Sequence, residues 1–168
     1  MQKRILAQAI VLATGGAVTG AAAAPAGIIT DLDPTLQLRP RYESADQDGG
    51  TDAASALTLR TRVGVDMDIA VEGLSAYTEM TNVTAAINDY NDGDPNYPLH
   101  NPKNSTKPYD LIPDPAFTRM TQAYLQYQAA DTTVRAGRQK VVLGGKRFIG
   151  AVNWRQMPQT YGAYTVKN

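Results

Sequence analysis

The sequence predicts an all-β fold, an antiparallel meander of about six strands that forms part of a large transmembrane β-barrel. Three observations carry this expectation. Long segments alternate apolar and polar residues, the connections between them alternate between long and short, and the N-terminus has the build of an export signal. The clearest segment is residues 57–69. Leu57, Leu59, Val63, Val65, Met67 and Ile69 are apolar, while Thr58, Arg60, Arg62, Asp66 and Asp68 are polar, with Gly64 among them. Strand side chains alternate faces with period two, so this run has one apolar and one ionic face. Soluble strands usually have about five or six residues, whereas a tilted strand crossing a bilayer needs about 9–11. The run is long enough for the second and carries the apolar-out, polar-in dyad of such strands.

Taken in order, the first strand is expected at residues 35–43, with Leu36, Leu38, Pro40 and Tyr42 opposite Gln37, Arg39, Arg41 and Glu43. A polar connection, 44–53, leads to the second strand at 55–69. The short turn Val71-Glu72-Gly73 precedes the third, 74–83, with Leu74, Ala76, Thr78 and Met80 opposite Ser75, Tyr77, Glu79 and Thr81. Residues 84–118 are dense in Asn, Asp and Pro and read as one long connection. The fourth strand, 119–129, sets Ala123, Leu125 and Tyr127 against Gln122, Tyr124, Gln126 and Gln128. After the short turn Ala130-Asp131-Thr132, a fifth strand spans 133–143. Its phase breaks, because Arg138 and Lys140 fall on the parity of Val134. A bulge at Gly137 is expected to return the basic residues to the polar face. Residues 144–159 form a further long connection before the last segment, 160–167. Long loops on one side and short turns on the other are the habit of outer-membrane barrels. Tyr42, Tyr127, Tyr161 and Tyr164 lie near strand ends, where an aromatic girdle would fall.

Lys3 and Arg4, the apolar stretch 5–18 and the small residues 21–26 make a secretory signal peptide, residues 1–26, with cleavage after Ala23 or Ala26. Gly15, Gly16 and Gly20 weaken the competing reading as a membrane helix, and no other long apolar run follows. Residues 27–168 then form the mature β region, placed in the cell outer membrane. With 16 basic and 16 acidic residues the chain has no net charge to attract nucleic acid. The absence of cysteine excludes disulfides and thiolate metal sites. A mean hydropathy of −0.32 suits a barrel, whose apolar content hides in alternation.

The polar stripe supplies the candidate site. Arg39, Arg41, Arg60 and Arg62 share one face of two adjacent strands, Arg135 and Arg138 are expected to join them, and Asp66 and Glu79 oppose them. Such residues line a pore and favour anions, or they fill and salt-bridge the wall. Arg147, Trp154, Arg155 and Gln156 lie in the connection after the fifth strand and either fold inward as a constriction or stay exposed. The acidic stretches at Asp46 and Asp89 lack the spacing of a calcium loop and read as Asx turns. His100 is the lone histidine, with no partner at motif spacing, so no catalytic or metal residue and no cofactor is expected. A secreted soluble β domain that binds polysaccharide through its Arg and Tyr faces remains the alternative.

The blocks Gly137-Arg138-Gln139, Arg147-Phe148-Ile149-Gly150 and Trp154-Arg155-Gln156, with Gln159-Thr160, carry a resemblance. So do L-R-P-R-Y-E at 38–43 and L-T-L-R-T-R-V-G at 57–64. With these the chain, from Leu36 to Asn168, resembles the N-terminal part of the alginate-export porin family, outer-membrane barrels of Gram-negative bacteria. The resemblance implies a channel with an arginine-rich lumen, not an enzyme, that passes small hydrophilic solutes, anionic or saccharide. Its expected partners are outer-membrane lipid, the barrel-assembly machinery and those solutes. Family members are more than twice as long and end in an aromatic residue, so the chain is expected to be a truncated portion that does not conduct alone.

Overall fold

The computed structural model describes residues 8–11, 27–47, 51–93 and 105–168. Within them seven strands follow one another: β1 (Gln8–Val11), β2 (Ile29–Ala45), β3 (Ala54–Ile69), β4 (Leu74–Asp89), β5 (Thr118–Ala129), β6 (Thr132–Gln139) and β7 (Tyr161–Lys167). They pair in chain order, each antiparallel to the next, into one open sheet. One 3-10 turn, Gly144–Lys146, is the helical element among the described residues. The six-strand meander expected from alternation is β2 to β7. Four residues of the expected signal peptide form β1, which pairs with Arg41 to Ser44 of β2. The other signal-peptide residues, along with Asp48, Asp94 and His100, lie outside the described residues.

The strands are longer than the expected segments where the alternation continues. β2 starts at Ile29 because Leu32 and Pro34 keep the parity of Leu36, while Asp31 and Asp33 keep that of Gln37. β4 runs on to Asp89, absorbing one residue in a register shift against Leu57 and Thr58. β6 stops earlier, at Gln139.

The register sorts the side chains into two faces with reversed burial. Leu38, Leu59, Val63, Met80, Leu125, Val134 and Val166 are all exposed, with Met80 and Leu125 each 53% accessible. Across the sheet Arg41 is 4%, Thr81 0% and Thr121 0% accessible. Among the described residues nothing covers the apolar face, whereas residues 105–117 and 140–160 fold over the polar one. Burying one such aliphatic side chain is worth about 1.5–3 kcal/mol, so a bare row of them in water would be a large penalty. Among the described residues an ordinary apolar cluster forms only at the long-loop end, where Ala54 and Ala56 meet Tyr90 and Ile112. Asp110 ties two connections together there, accepting from the Gln47 N–H (2.6 Å) and from Thr51 Oγ1.

Two expectations are corrected. No bulge forms at Gly137: the β5–β6 ladder runs unbroken from Ala129↔Thr132 to Ala123↔Arg138. Arg138 therefore sits on the apolar face with Ala123, exposed, its Nη1 donating to the Met120 carbonyl (2.9 Å). The irregularity lies instead in β5, where Thr121 is the extra residue between the pairs Glu79↔Gln122 and Met80↔Met120. Tyr161 pairs with Gln139 and so shares the polar face; Tyr42, Tyr127 and Tyr164 share the apolar one.

Gly137 has φ of +129°, and a Cβ there would strike the Ala123 carbonyl and lie 2.8 Å from Tyr124 Cα. Gly137→Val is expected to cost about 2–4 kcal/mol through backbone strain and this clash. The urea midpoint of the refolded chain, followed by far-ultraviolet circular dichroism, measures the loss.

Candidate functional site

The β2–β3 register sets Arg39 beside Arg60, Gln37 beside Arg62 and Arg41 beside Thr58. Same-face neighbours on a strand are two residues, or about 6.6 Å, apart. Four guanidinium groups packed this closely repel one another and demand acceptors. The long connections supply them.

Asp114, only 2% accessible, reaches Arg41 Nη1 (2.7 Å) and Arg155 Nη1 (3.5 Å). Glu43 bridges the same two arginines, pairing with Arg41 Nη2 and with Arg155 Nη1 (3.1 Å). The result is a closed ring of two acids and two bases drawn from β2 and both long connections. Arg155 also stacks on Trp154, 4.0 Å from the ring centroid, with Arg41 at 5.7 Å. Arg39 donates to the carbonyls of Asn153 (2.8 Å) and Trp154 (2.6 Å). Gln156, fully buried, donates through Nε2 to Thr58 Oγ1 (2.7 Å), and its N–H donates to Asp114 Oδ1 (2.9 Å). Arg60 donates to Gln37 Oε1 (2.8 Å) and to the Gln156 carbonyl (3.4 Å). Burial raises the Asp114 carboxyl above the usual aspartate range even though Arg41 and Arg155 pull it down. Burial, with Asp92 and Asp114 nearby, pushes the Tyr90 hydroxyl up to about 12, and that hydroxyl donates to the Asp114 carbonyl (3.1 Å).

A second hub lies further from the loops. Glu79 accepts from Thr121 Oγ1 (2.7 Å), Lys140 Nζ (3.1 Å) and Tyr77 Oη (3.2 Å), with Arg62 Nε at 3.5 Å. The extra residue in β5 places Thr121 there, where its hydroxyl also bonds that of Thr81 (2.9 Å). Tyr77 passes across Gly64, where a Cβ would come within 2.5 Å of its hydroxyl. Beyond it Tyr77 meets Tyr124 at 5.5 Å, and Arg135 lies over the Tyr124 ring at 5.0 Å. Asp66 faces Asp33 across β2–β3 and stays exposed on this face.

Of the residues expected to line a pore, Arg39, Arg41, Arg60, Arg62, Asp66, Glu79 and Arg135 share the polar face; Arg138 does not. Of the loop candidates, Trp154, Arg155 and Gln156 fold onto that face, and Arg147 remains exposed beside the 3-10 turn. Lys140 reaches the polar face as expected, though without the bulge, while Asp114 and Thr121 are not among the expected residues. Tyr77 and Gln122 obey the alternation, but Asp114 sits in an irregular stretch with no periodicity to reveal it. Four buried donors, Nε of Arg39, Arg41 and Arg60 and Nη2 of Arg62, have no partner among the described residues.

Fold and site together define an antiparallel wall with a bare apolar face and a loop-covered ionic face. Comparison with protein-family models, with curated proteins and with solved structures gives no match. The likeness to alginate-export porins therefore rests on the sequence motifs alone.

Asp114→Ala leaves buried Arg41 with Glu43 as its remaining carboxylate and is expected to cost about 1.5–3 kcal/mol, the worth of a hydrogen bond to a charged group. It should also release both connections, and cleavage by trypsin after Arg155 should quicken. Limited proteolysis with mass spectrometry reads this; an unchanged cleavage pattern counts against Asp114 as the tie.

Proposed function

We propose that this chain forms part of the wall of an outer-membrane β-barrel channel that passes small hydrophilic solutes, anionic or saccharide. The observation that carries the reading is the reversed burial of the sheet, with bare leucines, valines and methionines on one face and covered charges on the other. Hydrocarbon is the surrounding in which such an exposed face is at no disadvantage. Dimensions agree. Along β4, from Leu74 opposite Tyr127 to Ile87, which is level with Tyr42, the rise is ~40 Å at about 3.3 Å per residue. At the tilt of about 40° common in such barrels this is a height of about 30 Å, the thickness of a bilayer core. Tyr42 and Tyr127 then fall near its two boundaries, as interfacial tyrosines do.

An open sheet leaves unpaired edges that lipid does not tolerate, and the smallest membrane barrels have about eight strands. The proposed channel accordingly includes further strands beside those described. The polar face supports anion passage: its arginine donors are only partly used by the loops, and rings of Arg select anions at close quarters. A soluble polysaccharide-binding domain would need a second layer over the Leu59 and Leu125 face, and none lies there among the described residues.

The chain lacks cysteine, so single labels can be placed cleanly. With Leu59→Cys, Leu125→Cys and Gln126→Cys each carrying a fluorophore, brominated lipid should quench the first two several-fold more than the third. Equal quenching at all three positions refutes the membrane reading. With these strands built into a complete barrel and measured in planar bilayers, Arg39→Gln combined with Arg62→Gln should move the reversal potential in a salt gradient toward that of cations. An unmoved potential removes these arginines from selectivity.

A further inference from the structure

Where residues 113–115 meet residues 152–160, the two connections enclose a half-open cavity of about 370 Å3 at the start of β5. Its size falls within the range of small-molecule sites, about 300–1,000 Å3. Pro113, Pro115, Trp154 and Met157 give it an apolar lining, with the Trp154 indole already held by Arg155. One charged side chain on the same cavity lacks a partner. The Arg119 guanidinium has no hydrogen bond and no carboxylate among the described residues, and the charged group it senses is another cation, Arg138. Arg155, by contrast, is already matched by Glu43 and Asp114, so Arg119 is the uncommitted charge.

An unpaired guanidinium against an apolar wall favours an anion over water. The wall is poor in hydrogen-bonding groups, which disfavours a ligand that is hydroxylated all round. We propose that this cavity binds a small organic monoanion with a flat apolar body, an aromatic carboxylate. Its carboxylate lies on Arg119, and its ring lies against Trp154 and the prolines. This site goes beyond the channel reading, because it needs only that both connections fold onto the polar face.

Trp154 is the single tryptophan of the chain and also borders a neighbouring cavity with Lys146 and Gly150, so a response is assigned to this cavity by its dependence on Arg119, which lines this one and not the other. The full chain, refolded in detergent, is titrated with benzoate, with benzyl alcohol (same ring, no charge) and with glucuronate (same charge, hydroxylated body). Benzoate should change the emission saturably, and both analogues should bind at least about tenfold more weakly, as expected when a charge-assisted contact or the apolar fit is lost. Arg119→Gln should weaken benzoate by about tenfold or more, and Arg119→Lys should recover part of it. Benzyl alcohol binding as well as benzoate overturns the charge requirement, and glucuronate doing so overturns the apolar one. A response that never saturates, or one unchanged by Arg119→Gln, overturns the site. Should Arg119→Gln lose the β-sheet dichroism, the ligand series on the unaltered chain decides.

Discussion

The constraint on which the rest depends is the parity of the antiparallel ladder. Each backbone bond in the β2–β6 sheet fixes which face the next side chain takes, and a slip of one residue would exchange the two faces. With parity held, the arginines of β2 and β3 collect on one side and the leucines and valines on the other. Both collections then impose demands. The apolar face needs an apolar surrounding, and the arginine face needs acceptors. Covering by residues 105–117 and 140–160 answers the second demand within the chain itself.

That answer is electrostatic before it is hydrophobic. The apolar cluster around Tyr90 and Ile112 is small and confined to the loop end. Further down the face, the connections are held by Asp114, by loop carbonyls on Arg39 and by Gln156 across Thr58. Buried charge pairs gain little net stability, because desolvation offsets attraction, yet removing one partner is costly. The ring of Arg41, Glu43, Asp114 and Arg155 therefore acts chiefly as a specifier. It dictates where two irregular segments lie, and in doing so it shapes the Trp154 cavity.

Alternation along each strand, with the long and short connections between strands, states the class of fold and the face of most side chains, because period two is a local property of extended backbone. Arg39, Arg60, Arg62 and Glu79 were legible for the same reason. Arg138 departs from the expected face because the sequence does not say which ladder takes an irregularity: β5–β6 runs unbroken, and the extra residue lies in β5 against β4. A glycine in β6 looked like the site, but the ladder broke phase at Thr121 in β5, where Glu79 offers that hydroxyl a partner. Asp114 was invisible, lying in a Pro- and Asp-rich stretch where one carboxylate looks like its neighbours. Only the tertiary structure decided that this one, and not Asp110, meets Arg41 and Arg155. Contacts between residues more than 70 positions apart depend on how two connections cross above the sheet. That path is set by the balance of buried charges and not by any local repeat.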